Sequence, residues 1–174
     1  MRHVIEMVMA AVLILGVVSD GLQAATIRVP QDQPTIQAGI NAAINGDTVL
    51  IADGTYTGTG NKEIEYFGKA ITVMSENGPE MCVIDCENSG RGFYFRGGEG
   101  NASVLDGLTV RNGAVAGGYA SNRGGGIRIG GAASPVIRNC IVTGNSATGM
   151  GDGVYVVSSE TVFENCVIFS RSEE

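Results

Sequence analysis

Gly124-Gly125-Gly126-Ile127-Arg128-Ile129, followed by Pro135-Val136-Ile137-Arg138-Asn139-Cys140-Ile141-Val142, is a two-part phrase that the chain repeats. Its second copy is Gly151-Asp152-Gly153-Val154-Tyr155-Val156, followed by Thr161-Val162-Phe163-Glu164-Asn165-Cys166-Val167-Ile168. A looser earlier copy pairs Gly92-Phe93-Tyr94-Phe95 with Ser103-Val104-Leu105-Asp106-Gly107-Leu108-Thr109-Val110. Asp106 and Arg138 are 32 residues apart, and Arg138 and Glu164 are 26 apart. Self-similarity at this spacing marks a protein built of stacked repeats, each packing on its neighbours.

Working outward, the rest of the chain supplies short apolar runs punctuated by turn residues. Ala25-Thr26-Ile27-Arg28-Val29 reads as a strand, and Thr35 to Ile44 as a helix with Ile36, Ile40, Ala43 and Ile44 on one face. Thr35 is the expected N-cap, and Asn45-Gly46 the expected stop. Asp47 to Ala52, Ile64 to Tyr66, Ala70 to Met74 and Met81 to Ile84 read as strands, with turns at Asp53 to Tyr56 and Glu76 to Pro79. A longer loop over 114–123 explains the wider of the two periods. No long helix separates the strands, which excludes a sheet of strand–helix–strand units. The pattern predicts an all-β, right-handed parallel β-helix solenoid with a short N-terminal capping helix. Residues 25–46 form the strand and cap, and residues 47–174 the coils. The amphipathic helix has a physical task, because it covers strand edges and apolar side chains at the start of the stack.

Composition narrows the function. The chain has 174 residues, enough for one domain. Residues 1–24 have the build of a secretory signal: Arg2 and His3, an apolar run from Met7 to Val18, then Leu22-Gln23-Ala24. The run is too short for the roughly 20 residues that cross a bilayer, so no membrane span is expected after signal removal. Eleven Lys and Arg against 18 Asp and Glu give a net charge of −7. An acidic chain does not suit nucleic acid through bulk charge. The single histidine is His3, so a mature chain has no Ser-His-Asp or Cys-His machinery and no His-ligated zinc. Cys82, Cys86, Cys140 and Cys166 contain no Cys-x-x-Cys pair, which also argues against zinc. Cys140 and Cys166 occupy equivalent places in adjacent repeats. Stacked buried thiols are the preferred reading and a disulfide the alternative.

The stretch Thr35-Ile36-Gln37-Ala38-Gly39-Ile40-Asn41-Ala42-Ala43 through Gly46-Asp47-Thr48-Val49-Leu50-Ile51-Ala52-Asp53-Gly54-Thr55-Tyr56 resembles the opening of pectin-lyase-like β-helix proteins. Asn77-Gly78-Pro79-Glu80, then Val83-Ile84-Asp85-Cys86 and Gly90-Arg91-Gly92-Phe93, resembles secreted bacterial members of that group. Ile141 to Ala147 followed by Gly151 to Tyr155 is similar to polymorphic outer-membrane and adhesin-type repeats. The resemblance covers residues 26 to 170. It implies the fold, and it leaves the activity open, since lyases, hydrolases, esterases, epimerases and adhesins share that fold. The signature motifs of pectin methylesterases and polygalacturonases have no counterpart here, so no catalytic residue transfers.

Candidate sites come from aligning the repeats. Asp106, Arg138 and Glu164 share one column, and an ion-pair ladder is the expected outcome. Asn139 and Asn165 share the next column above Gly107. They are structural candidates together with Cys140 and Cys166, because Asn and Gly tolerate left-handed backbone. Asp85, Arg91, Arg96 and Asp106 are the candidate catalytic set, with Arg as base for β-elimination and Asp85 and Asp106 as calcium ligands. Calcium is the one cofactor considered. Tyr56, Tyr66, Tyr94, Tyr119 and Tyr155 could stack on sugar rings or pack in the core. Gly124-Gly125-Gly126 lacks the Lys-Ser/Thr of a phosphate loop and reads as a tight corner. After the strand at Val162 to Phe169 the sequence offers no amphipathic cap. The preferred expectation is a C-terminally truncated fragment with further domains beyond Glu174; a partner or a weak cap are the alternatives. The expected function is a secreted or cell-surface module that binds extracellular polysaccharide. The alternatives are a polysaccharide lyase or hydrolase with an incomplete groove, and an adhesin or surface stalk.

Overall fold

The computed structural model describes residues 23–118 and 122–170. The body of the expected signal, Tyr119 and the charged tail from 171 to 174 lie outside the described residues.

The described chain is mostly short parallel strands with one helix. In order these are β1 (Thr26–Val29), α1 (Ile36–Ala42), β2 (Thr48–Ile51), β3 (Gly54–Tyr56), β4 (Thr72–Ser75), β5 (Cys82–Asp85), β6 (Phe93–Phe95) and β7 (Val104–Asp106). They continue with β8 (Thr109–Arg111), β9 (Ala114–Val115), β10 (Ile127–Ile129), β11 (Val136–Arg138), β12 (Ile141–Ala147), β13 (Val154–Val156), β14 (Val162–Glu164) and β15 (Val167–Ser170). One sheet runs β1-β2-β4-β7-β11-β14, a second β15-β12-β8-β5-β3 with β9 beside β12, and a third β13-β10-β6. From β6 onward the chain visits the three sheets in a fixed order. Each repeated phrase therefore gives one strand to each sheet, and like residues of successive repeats pair in parallel.

Register follows the repeat. Ile27, Val49, Val73, Leu105, Ile137 and Phe163 form one column in the first sheet. Tyr56, Ile84, Val110, Val142 and Ile168 form the matching column in the second. In the third, Ile127 pairs with Phe93 on one side and Val154 on the other, and Ile129 likewise with Phe95 and Val156. The inner members of these columns, Val73, Leu105, Ile137, Ile84, Val110, Phe93 and Ile127, are buried and belong to one core cluster. Alternation explains why three-residue strands suffice: the middle residue of one sheet's strand points inward while its neighbours point out. At the last strands the columns run into solvent, with Phe163, Ile168 and Phe169 at 36, 45 and 58 % exposure.

The helix starts as expected. Thr35 is extended, and its hydroxyl accepts from the Ala38 amide at 3.2 Å. Ile36, Gly39 and Ile40 are buried against β1 and β2. A Cβ at Gly39 would sit 2.9 Å from Val49 Cγ1, so glycine is what lets the helix approach this closely. The end differs from expectation. Ala43 is already extended, with ψ 149°, and Ile44 is 46 % exposed rather than on the buried face. Two contacts end the helix early. Lys69 Nζ donates to the carbonyls of Ile40, Asn41 and Ala43 at 2.7, 3.0 and 2.8 Å, and the Asp47 carboxylate accepts from the Ile44 amide at 2.9 Å.

Two other expectations are corrected. Ile64 to Tyr66 is not a strand. Only Ile64 bridges to Phe93, because Glu63 and Phe67 on either side hold left-handed φ of 52° and 55°. The buried Tyr66 instead gives its hydroxyl to the Val104 carbonyl at 2.9 Å. Conversely, Gly54-Thr55-Tyr56, read as part of a turn, is β3 and pairs in register with Cys82, Val83 and Ile84. The adjacent strand supplies the missing ladder partners, which no local signal reports.

Lys69 is the dedicated partner of the α1 C-terminus. Lys69→Met keeps the aliphatic stem and removes three charge-assisted bonds. A loss of about 2 kcal/mol is expected, measured as a shift in the urea midpoint with unchanged slope. An unchanged midpoint would show that water serves those carbonyls equally well.

Candidate functional site

The third sheet carries the densest set of chemically capable side chains among the described residues. In Phe93-Tyr94-Phe95, Ile127-Arg128-Ile129 and Val154-Tyr155-Val156 the middle residues are in register: Tyr94 pairs with Arg128, and Arg128 with Tyr155. Phe93, Phe95, Ile127 and Ile129 are buried, so alternation sends Tyr94, Arg128 and Tyr155 to the opposite, outer face. Three guanidinium groups surround the Tyr94 ring. The Cζ atoms of Arg91, Arg96 and Arg128 stand 4.8, 4.7 and 4.9 Å from its centroid. Arg123 lies 5.0 Å from the Tyr155 centroid and donates to its hydroxyl at 2.6 Å. Cation–π contact fixes guanidinium planes at little conformational cost.

Two carboxylates pair with guanidinium groups of this face. Glu65 takes Arg96 in a two-pronged pair, 2.9 Å to Nε and 2.7 Å to Nη2. That bond holds Arg96 protonated still more firmly than usual, against an opposing effect of burial. Glu63 takes Arg91 Nε at 3.2 Å. Arg91 also donates to the Arg123 carbonyl at 3.2 Å, which ties the two ends of the face together. Arg91 is buried, while the Arg96 side chain is 54 % exposed.

A second polar array runs along the bends after β5, β7 and β11. Arg111 Nε donates to Asp85 Oδ2 at 3.0 Å while Asn112 Nδ2 donates to Oδ1 of the same carboxylate at 3.0 Å. In the first sheet, Arg138 Nε and Asn139 Nδ2 grip Asp106 in the same manner, at 2.8 and 2.7 Å. Asn165 Nδ2 then donates to Asn139 Oδ1 at 2.9 Å. Asn112, Asn139 and Asn165 hold φ of 55°, 52° and 50°, and Gly107 holds 71°. The expected Asp106–Arg138–Glu164 column is in register. Arg138 pairs with Asp106 at 2.8 Å.

The candidate catalytic set is not assembled. Asp85 and Asp106 each hold their own Arg and Asn in different sheets, while Arg91 and Arg96 pair with Glu63 and Glu65 on a third. Among the described residues no three His, Cys, Asp or Glu side chains converge to hold a metal, so Asp85 and Asp106 do not form a shared calcium cage. The tyrosines divide. Tyr56 gives its hydroxyl to the Ala52 carbonyl at 2.9 Å, and burial pushes it up to about 12. Burial likewise holds Tyr66 well above 10. Tyr94 and Tyr155 are on the outer face, and guanidinium groups occupy the approach to the Tyr94 ring, for which sugar stacking and core packing were the two readings. The four cysteines are free thiols, with Cys82, Cys86 and Cys140 buried and Cys166 half-buried. Arg123 and Arg128 were not singled out from sequence. The signal was present: the inner-outer-inner alternation of the three short strands already placed Arg128 between two tyrosines.

No protein-family model matches the chain, and no curated protein matches it significantly.

For Asp85, burial raises the carboxyl, but Asn112, the Glu87 amide and Arg111 outweigh it, and its pKa lies below the ordinary value. Its folded pKa is below its unfolded one, so its contribution is present above about pH 4 and fades as pH falls through the folded value. The stability gap between the native chain and Asp85→Asn should therefore shrink from about pH 6 toward about pH 2. Urea midpoints at both ends check this, and a gap that stays constant would show that the charge of Asp85 is irrelevant.

Proposed function

We propose that this chain is a right-handed parallel β-helix module, exported by its N-terminal signal, that binds an acidic extracellular polysaccharide along the outer face of β6, β10 and β13. The β-helix reading is supported by the fixed order in which the chain visits three parallel sheets and by the unbroken inner columns. Export is supported by the charged, apolar and small-residue order of residues 1–24. One observation carries the ligand reading: the register column Tyr94–Arg128–Tyr155, flanked by Arg91, Arg96 and Arg123.

The chemistry follows from these groups. Guanidinium planes match carboxylates and sulfates in a two-pronged geometry. Tyrosine rings hold the planes in place before the ligand arrives, which lowers the ordering cost of binding. Equivalent positions recur about 4.8 Å apart along a parallel ladder, so the face offers charge in a line to a linear polymer. Binding without turnover is preferred to lyase or hydrolase activity, because Asp85 and Asp106 are separately engaged rather than facing a shared groove. The acidic remainder of the chain repels nucleic acid outside this strip.

Retention of the folded protein on immobilised polygalacturonate, against neutral dextran and single-stranded DNA, tests the reading. Selective retention is expected, weakening with salt. Arg96→Ala and Arg128→Gln should each lower affinity about tenfold, the worth of one charge-assisted contact. Equal retention of both variants, or preference for dextran or DNA, would refute it, and release of unsaturated uronides would replace binding by catalysis.

A further inference from the structure

Cys140 and Cys166 are not explained by packing alone. Arg138 pairs with Glu164 on one side of them, and Ile141 with Val167 on the other, all at an offset of 26 residues. Cys140 and Cys166 therefore occupy the same register level of adjacent strands, where Cα atoms are about 4.8 Å apart, inside the range a disulfide spans. The Val167 amide donates to the Cys140 carbonyl at 2.9 Å, which fixes that level. The two thiols occupy equivalent places: Cys140 donates to the Leu105 and Arg138 carbonyls at 3.8 and 3.1 Å, and Cys166, one repeat on, to the Ile137 and Glu164 carbonyls at 3.4 and 3.3 Å. Cys140 is buried, whereas Cys166 is half-buried among the exposed Val162, Phe163, Val167 and Ile168. An accessible thiol beside a buried one is the arrangement of an attacking and a resolving cysteine.

We propose that Cys140 and Cys166 form a dithiol–disulfide site that locks β14 and β15 onto β11 and β12. A small-molecule disulfide such as glutathione disulfide is the oxidant. The Cys166 thiolate attacks one sulfur of the oxidant, breaks its S–S bond and expels one small thiolate, leaving a mixed disulfide on Cys166. That small thiolate takes the Cys140 proton. Cys140 then attacks the Cys166 sulfur and expels the second small thiolate, which is protonated by water. The two protein thiols are oxidised, and the oxidant is reduced to two thiols.

The electrostatics support the assignment of roles. The neighbouring Cys140 side chain, helped by backbone hydrogen bonds at Cys140 and Glu164, brings Cys166 down to about 6, against burial. The Cys166 side chain, with burial, holds Cys140 well above its ordinary value. Cys82 and Cys86 provide an internal control. They are buried, and burial pushes both up to about 12.

The test is a titration of the folded full chain with reduced and oxidised glutathione at neutral pH, quenched in acid and read by intact mass and peptide mapping. The native chain should lose two hydrogens and yield a Cys140–Cys166 linked peptide, with Cys82 and Cys86 unmodified. Cys140→Ser should stop at the glutathione adduct on Cys166, and Cys166→Ser should take up none at Cys140. Oxidation should also slow proteolytic cleavage after Val154 about tenfold or more, since the link closes a 26-residue loop. The proposal is overturned if the native chain accumulates only the mixed adduct, if Cys82 or Cys86 reacts first, or if the linked and reduced forms are cut at the same rate. None of these outcomes depends on polysaccharide binding.

Discussion

The structure depends on one constraint: equivalent residues of successive repeats must pair in parallel without slipping. A shift of one residue in any strand would send its inner residue outward and its outer residues in. The short strands make this unforgiving. In β7, Leu105 alone is buried between the partly exposed Val104 and Asp106, so a slipped β7 buries a carboxylate instead of a leucine. The columns through Val73, Leu105 and Ile137, and through Ile84, Val110 and Val142, are continuous because no strand slips. Apolar burial rewards the correct register, and the backbone ladder penalises intermediate ones.

The bends enforce the same register with polar groups. The Asp85 and Asp106 clamps each need an Arg at the end of one strand and an Asn in left-handed conformation just after it. A carboxylate gripped on both oxygens from the next repeat cannot be satisfied at any other level. Each clamp is partly exposed and adds little as a salt bridge. Its effect is on specificity, since an unpaired half-buried carboxylate is the cost of misregister. One level on, Arg138 stands at the acid's position, and Asn139 beside it accepts from Asn165, so the amide ladder continues the count.

The repeat level of organisation was legible in the sequence because the same side chains recur at the same offsets. Thr35, the Asn139–Asn165 column and the Asp106–Arg138 pair are all read from local chemistry or direct alignment. What was not legible is what depends on a partner many residues away. Lys69 ends α1 from 26 to 29 positions downstream, and Gly54 to Tyr56 is a strand only because Cys82 to Ile84 lies beside it. Asp85 escaped alignment for a related reason: its Arg111–Asn112 clamp is offset by 26 and 27 residues but is built from a copy too divergent to align. The candidate site was half legible. Arg91, Arg96, Tyr94 and Tyr155 were singled out, but their convergence required knowing that three short strands share one sheet.

That sheet also explains how such a site can exist without disturbing the stack. Register is set by Phe93, Phe95, Ile127 and Ile129 on the inner face and by the clamps at the bends, so the outer column is released from structural duty. A free outer column would normally carry short, neutral residues. This one alternates Tyr94, Arg128 and Tyr155 and draws in Arg91, Arg96 and Arg123. Guanidinium groups gathered this closely repel one another, and packing does not require them there. The Tyr94 and Tyr155 rings and the carboxylates of Glu63 and Glu65 offset that repulsion. The four guanidinium groups are thereby held in fixed planes on one outer face, which is the arrangement the proposed anionic ligand would meet.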